Sequence, residues 1–376
     1  LIGLLFSLCV MNQERLALLA LHFISGIGDY TRRQLVSYCG AAEKVFSTPK
    51  GKLRKVPGVG KTIAESIDHK KSFDLAEKEI RKAEKEEVRL LFYIDRDFPS
   101  RLKQFEDAPT LLYVKGNINF ENPKAVAIVG TRKSTDYGRL CVDELITQLV
   151  PHEALIISGL AYGIDILAHK LALKHNLPTV AVMGSGMDVI YPAAHRETAK
   201  RMQQAGGLVT ENPFGTKPDA HNFPARNRII AGLCDALIVV EAAEKGGALI
   251  TADIANSYNK DVFAFPGNIG QSFSQGCNNL IKENKANLIT SAKDLEFLMN
   301  WDVHTAPVIM PNDLDGFDQN EQLVINTLRK NNSQLMIDEL SWRCGLSVSQ
   351  LASLLLGLEF KGKVVSLPGK IYKLER

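Results

Sequence analysis

Val126-Ala127-Ile128-Val129-Gly130-Thr131-Arg132 is a short apolar run that stops in a small-residue turn carrying a cation. Its four apolar residues show no polar alternation, which predicts a strand buried on both faces of a parallel sheet. Similar runs recur at 154–157, 179–183, 207–210, 236–240, 261–265 and 287–289, with helical patterning between them. From Ala125 to about Met299 this alternation predicts an α/β domain: a Rossmann-like parallel sheet with helices on both faces. Ligands of such sheets sit at the carboxyl ends of the strands, where the glycine turns of this chain fall.

Three of those turns carry chemistry. Gly130-Thr131-Arg132-Lys133 follows the first run, and Ser158-Gly159-Leu160-Ala161-Tyr162-Gly163-Ile164-Asp165 follows the second. The third, Asn222-Phe223-Pro224-Ala225-Arg226-Asn227-Arg228-Ile229-Ile230, sets two arginines around one asparagine. Guanidinium forks suit phosphate oxygens and base edges or faces, although such a cluster alone also fits a solvated turn. Ser158, Gly159 and Gly163 offer tight turns and N–H donors to a phosphate, while Asp165 either caps the next helix or meets the ligand. Lys245-Gly246-Gly247 repeats the device at another helix start. Arg226 and Arg228 cannot share a helical face, so one is expected to reach the pocket and the other an adjacent phosphate or a partner chain. A nicotinamide cofactor is disfavoured: after Gly130 the next glycine is Gly138, so the G-x-G-x-x-G turn is missing.

These blocks, with Pro266-Gly267 and Gly276-Cys277-Asn278-Asn279-Leu280-Ile281, follow the order and spacing of the DNA-processing protein A family (DprA, also called Smf), which the chain resembles from about residue 90 to 298. The resemblance implies a protein that binds single-stranded DNA in the crevice and uses no cofactor or metal. It further implies protection of incoming DNA in natural transformation, loading of a RecA-type recombinase, a homodimer, and no catalytic residue. The expected nucleic-acid contacts are Gly130, Thr131, Arg132, Lys133, Ser158, Gly159, Gly163, Phe223, Arg226, Asn227, Arg228, Lys245, Gly246, Gly247 and Asn278. A single-strand binder needs phosphate tracking and stacking surfaces; Arg132, Lys133, Arg226 and Arg228 offer the first. Phe223, Tyr162 and Tyr191 serve either as the second or as core. The chain departs from the family pattern at Cys234, at Lys285-Ala286 and at Ala193-Ala194-His195.

A length of 376 residues predicts two or three domains, and 45% hydrophobic with 23% charged residues is the balance of a globular protein with a real core. The net charge of +3 does not announce a nucleic-acid binder, so any such function must come from local clustering. Six scattered cysteines without a C-x-x-C pair suggest neither zinc nor a disulfide framework, and point to reduced thiols in a cytoplasm. The apolar run of residues 1–10 is too short to span a bilayer, and Met11 is expected to be the natural start. No membrane association is expected.

Residues 1–88 read as a helical, helix-hairpin-helix-like domain. Ile24-Ser25-Gly26-Ile27-Gly28 and Val56-Pro57-Gly58-Val59-Gly60-Lys61-Thr62 each precede an apolar helical pattern. Gly58, Gly60 and Lys61 are candidates for duplex phosphates, packing or protein contact being the alternatives. The second hairpin is no P-loop, because Lys55 stands where that motif needs glycine. Residues 89–124 read as a connector, 125–299 as the Rossmann-like domain, 300–316 as a linker and 317–376 as a winged helix.

Two other functions compete with DNA binding. A nucleotide phosphoribohydrolase of the same fold would use carboxylates such as Glu211 and Glu241, but Glu244-Lys245-Gly246-Gly247-Ala248-Leu249-Ile250-Thr251 lacks the proline, third glycine and glutamate of Pro-Gly-Gly-x-Gly-Thr-x-x-Glu. A winged-helix transcription factor would read bases with a basic helix, whereas Val348 to Glu359 holds no Arg or Lys and only Gln350 among the amides.

Overall fold

In the computed structural model the described residues are 13–301, 317–330, 334–367 and 370–374. The expected start at Met11 and residues 302–316 of the expected linker lie outside them. The chain forms two compact units, 1–304 and 305–376.

Among the described residues the first unit begins with six helices: α1 (Gln13–His22), α2 (Asp29–Cys39), α3 (Ala42–Ser47), α4 (Lys50–Leu53), α5 (Lys61–Ser66) and α6 (His69–Lys85). The two glycine hairpins are built alike. Ile24 and Ile27 in one, and Val56 and Val59 in the other, are buried. Gly26 and Gly58 both sit at φ 80°, and Gly28 and Gly60 are the N-caps of α2 and α5.

The sheet follows as β1 (Arg89–Phe92), α7 (Ser100–Lys103), β2 (Leu111–Gly116), β3 (Ala125–Val129), α8 (Asp136–Leu149), β4 (Leu155–Ser158), α9 (Ile164–Lys174), β5 (Thr179–Val182), α10 (Arg196–Met202) and β6 (Gly206–Thr210). It continues as α11 (Asn222–Leu233), β7 (Ala236–Val239), α12 (Gly247–Ser257), β8 (Asp261–Ala264), α13 (Gln275–Lys282), β9 (Asn287–Leu288) and α14 (Ala292–Met299). The nine strands lie in the order β1-β2-β6-β5-β4-β3-β7-β8-β9. From β6 to β9 every pairing is parallel, so all seven expected runs are strands of one sheet.

The expected connector 89–124 is instead part of that sheet. β1 pairs antiparallel with β2, and β2 antiparallel with β6. Their side chains alternate between two cores: Leu90, Phe92, Leu111 and Tyr113 join the N-terminal helices, while Leu91, Leu112 and Val114 join the sheet's other core. An edge whose two faces are both buried ties the helical domain to the sheet. Ile229, Ile230 and Leu233 of α11 with Ala248 and Ala252 of α12 cover one face; Val142 and Leu145 of α8 with Ile164 and Ala168 of α9 cover the other. The strand order reverses at β3, which opens a crevice at the carboxyl ends of β3 and β7.

The second unit consists of α15 (Gln319–Lys330), β10 (Gln334–Met336), α16 (Ile337–Cys344), α17 (Val348–Phe360), β11 (Val364–Leu367) and β12 (Ile371–Leu374). Its strand order is β10-β12-β11. The winged helix was legible in the sequence; the three-residue β10 was not, because a strand that short carries no period. Leu328, Leu340, Leu351, Leu355 and Val364 form the core. Ser347 caps α17 in a capping box with Gln350. The outer face of α17 (Ser349, Ala352, Ser353, Leu356, Glu359, Phe360) is exposed and carries no cation. Among the described residues no helix is long and apolar enough to cross a membrane.

Candidate nucleic-acid interface

A cavity of about 930 Å³ occupies the crevice, lined among others by Gly130, Thr131, Arg132, Lys133, Phe223 and Lys245. Three helices start beside it with no side-chain cap: α9 behind Gly163, α11 behind His221 and α12 behind Gly246. The dipoles of these helix starts favour an anion, even though Ile164 N of α9 donates to Thr131 O and Asn222 N of α11 donates to Asp219 O. Arg132, Lys133 and Lys245 are exposed at the mouth, and no carboxylate pairs with them among the described residues. The Arg132 guanidinium lies 5.7 Å from the centroid of the Phe223 ring, and Tyr191, itself in the lining, is 5.9 Å from that ring.

The turns are packed into each other. Thr131 N donates to Glu241 O at 2.7 Å, and Ile164 N donates to Thr131 O at 3.2 Å. Gly163 has φ 75°, and a Cβ there would lie 2.2 Å from Thr131 O, so only glycine lets the two turns meet. Leu160 takes φ 58°, and its carbonyl is 2.8 Å from the buried His195 Nδ1. His195, one of the departures from the family pattern, therefore serves the turn. Asp165 accepts from Gly159 N at 3.2 Å and Ala161 N at 3.4 Å. Its carboxylate thus braces the preceding turn, and the N-cap of α9 is Gly163. Burial pushes the Asp165 carboxyl upward, against the attraction of Arg226.

Arg226 forms the cavity floor and is 5% exposed. Its Nη1 donates to Gly159 O at 2.7 Å and also to Val182 O, and its Nε donates to Asn227 Oδ1 at 3.2 Å. Burial lowers its pKa to about 10, with Asp165 opposing, so it stays charged at neutral pH. A Cβ on Gly159 would lie 2.6 Å from that guanidinium, which is why glycine stands there. Asn227 lines the cavity and donates to Gly247 O at 3.3 Å, joining α11 to the start of α12.

Other expected contacts lie elsewhere. Arg228 turns away from the crevice and pairs with Glu211 and with Asp29 of α2, the latter at 3.2 Å. Asp29 also accepts from Thr110 N at 2.9 Å and Arg32 Nη1 at 2.8 Å. Burial raises Asp29, but Arg32, the Thr110 N–H and Arg228 together hold it below the ordinary carboxylate range. Glu211 goes the other way: burial lifts it to about 7 despite Arg228. Ser158 is fully buried, its Oγ donating to Ile128 O at 2.6 Å. Asn278 pins Gly267 on both sides, accepting from Gly267 N at 3.0 Å and donating to Gly267 O at 2.9 Å. Tyr162 is half exposed and packs edge-on against His195 rather than lining the cavity. Gly58, Gly60 and Lys61 form an exposed turn on the helical domain. The sequence reading missed Phe273 and Ile250, which line the cavity; neither stands in a glycine turn or a cation cluster.

The chain matches known proteins over this region. A family model described as DNA recombination-mediator protein A matches residues 89–299, and one described as the DprA winged helix domain matches 311–370. Protein Smf of Escherichia coli is 36% identical over 290 residues, covering 74% of this chain and 75% of that protein. DNA processing protein DprA of Streptococcus pneumoniae is 42% identical over 202 residues, covering 54% and 71%. The X-ray structure of the pneumococcal DprA matches with a TM-score of 0.65 at 32% identity, covering 76% of this chain and 97% of that one. A structure of DNA processing protein A from Helicobacter pylori, described for its single-stranded DNA binding mode, matches with a TM-score of 0.52 at 28% identity, over 57% and 95%. Residues 89–299 run from the first strand of the sheet to α14 and contain the crevice whole, so this chain belongs to the DNA-processing protein A (DprA/Smf) family of DNA recombination mediators.

Proposed function

We propose that the crevice holds the backbone of single-stranded DNA, and that the protein is a non-enzymatic mediator that protects the strand and passes it to a RecA-type recombinase. The observation that carries this reading is the mouth itself: Arg132, Lys133 and Lys245 are exposed and, among the described residues, unpaired by carboxylates around three helix starts without a side-chain cap. Exposed cations beside the positive ends of three helix dipoles suit successive phosphates, and Phe223, Tyr191 and Phe273 offer faces on which bases stack. The single-stranded DNA binding mode described for the Helicobacter pylori relative supports the choice of strand. A role in natural transformation and a homodimeric state belong to the same proposal and rest on family membership.

Catalysis is not part of it. Both oxygens of Glu241 accept from Thr135, at 2.9 Å from its N–H and 2.5 Å from its hydroxyl. Glu211 is paired with Arg228 and lies outside the cavity lining. Neither carboxylate is placed to support an oxocarbenium centre there. The buried Glu241 instead ties β7 to the start of α8.

The test is a salt titration of oligo-dT binding against blunt duplex of equal length. With about four phosphates neutralised, the log–log slope for the single strand is expected near −3. Equal affinity for duplex, or a slope near zero, overturns the proposal.

A further inference from the structure

A second cavity, of about 530 Å³, lies at the carboxyl ends of β7 and β8, lined by Thr135, Tyr137, Glu241, Asn268, Gln271 and Ser274 among others. Phe273 lines both this cavity and the crevice. The two spaces differ in charge. No lysine or arginine lines the second, and its two charged lining residues are the carboxylates Asp136 and Glu241. Asp136 is already paired with Arg139, so a phosphate there would meet the Glu241 carboxylate and no unpaired lining cation.

The second cavity is held in shape at several points. Ala242 N donates to Phe273 O at 2.8 Å, which fixes Phe273 to the end of β7. Asn278 pins Gly267 at the other end of the loop, and the Tyr137 hydroxyl donates to Pro266 O at 2.5 Å. Between these anchors Asn268 and Gln271 are exposed. Amide groups that both donate and accept, beside an aromatic ring and away from cations, are what the edge and face of a nucleobase require.

We infer that this second cavity is a nucleobase subsite: one base of the strand whose phosphates lie in the crevice passes Phe273 and is bound by the amides of Asn268 and Gln271. The inference rests on the proposal of strand binding in the crevice. It makes the protein a reader of bases as well as of backbone at one position along the strand.

The experiment measures binding of an oligo-dT and of an abasic strand of equal length to the full chain, to N268A/Q271A and to R132A. Both amides are exposed, so the double variant is expected to fold as the parent does. It should bind oligo-dT roughly fivefold more weakly, as for hydrogen bonds removed, with an unchanged salt slope. Its binding of the abasic strand should equal the parent's. Phe273→Ala should behave similarly, and iodouracil crosslinking should mark Tyr137 or Phe273. If Arg132 matters but N268A/Q271A binds both strands as the parent does, the subsite is wrong and the crevice proposal stands. If R132A binds oligo-dT as the parent does, both fall.

Discussion

Arg226 and Arg228 stand two residues apart on α11, and they serve two regions of opposite character. Arg226 lies on the floor of a cavity whose mouth is exposed and cationic, held there by carbonyl oxygens. Arg228 lies in a seam between the helical domain and the sheet, between the carboxylates of Glu211 and Asp29. The mouth of the first region keeps Arg132, Lys133 and Lys245 without a carboxylate partner among the described residues, whereas the second region neutralises its arginine within the protein. Identical side chains on one helix thus take different surroundings: backbone carbonyls with Asp165 nearby for Arg226, and the paired carboxylates Glu211 and Asp29 for Arg228.

The largest expected effect lies in the seam. Arg228→Ala would leave Glu211 and Asp29 facing each other largely buried, and removing one partner of such a group costs about 3 kcal/mol. Urea unfolding should show it as a lower midpoint. A change under about 0.5 kcal/mol, the scale of a surface substitution, would break the comparison by showing that the seam contributes little.

The next effect lies at the mouth. Arg132→Ala should weaken single-strand binding by roughly 1–3 kcal/mol, the scale of a charge-assisted contact, with little change in the urea midpoint. Lys245→Ala should follow the same pattern. If Arg228→Lys, folded by circular dichroism, lost more affinity than Arg132→Ala, the assignment of the two arginines would be reversed.

A pH profile sharpens the seam. The Glu211 carboxyl is raised to about 7 in the folded protein, above its ordinary value near 4.3. The folded state therefore binds more protons than the unfolded one between those values. The contribution from this group is fully present below about pH 4.3 and is lost as pH rises through about 7, at most about 1.4 kcal/mol per unit. Glu211→Gln should flatten that slope in urea melts taken from pH 5 to 7.5. An unchanged slope would assign it to other groups.

The smallest effect is expected from the winged helix. With Ser349, Ala352, Ser353, Leu356 and Phe360 on the outer face of α17, this helix offers no cation to a phosphate. Removing residues 317–376 should shift binding of a short single strand less than about threefold, or roughly 0.7 kcal/mol, by fluorescence anisotropy. Loss of binding with the tail would move the DNA site out of the crevice.

Much of the fold was legible because strands buried on both faces are written as continuous apolar runs. β3 to β9 all lie on such runs, and α17 spans Val348–Phe360, over the Val348 to Glu359 stretch read as the second winged-helix helix. β1 and β2 were read as a connector because Phe98-Pro99 and Ala108-Pro109 interrupt the region. Their strand character comes from pairing with each other and with β6. Within the site, the turn residues and the exposed cations were legible from type and position. Arg228 was not: its partner Asp29 is 199 residues away, and no local pattern announces it.

The sequence by itself determined the parallel sheet, the glycine turns at its carboxyl edge, the clustering of cations there and a second winged-helix helix without lysine or arginine. Each follows from residue type and short-range period, which act within a few residues of chain. Only the tertiary structure decided which arginine meets the crevice, that Asp165 braces a turn rather than capping a helix, and that Phe273 stands between two cavities. Those outcomes depend on burial and on partners brought from distant segments, and an ionic or aromatic side chain takes its role from what the fold places opposite it.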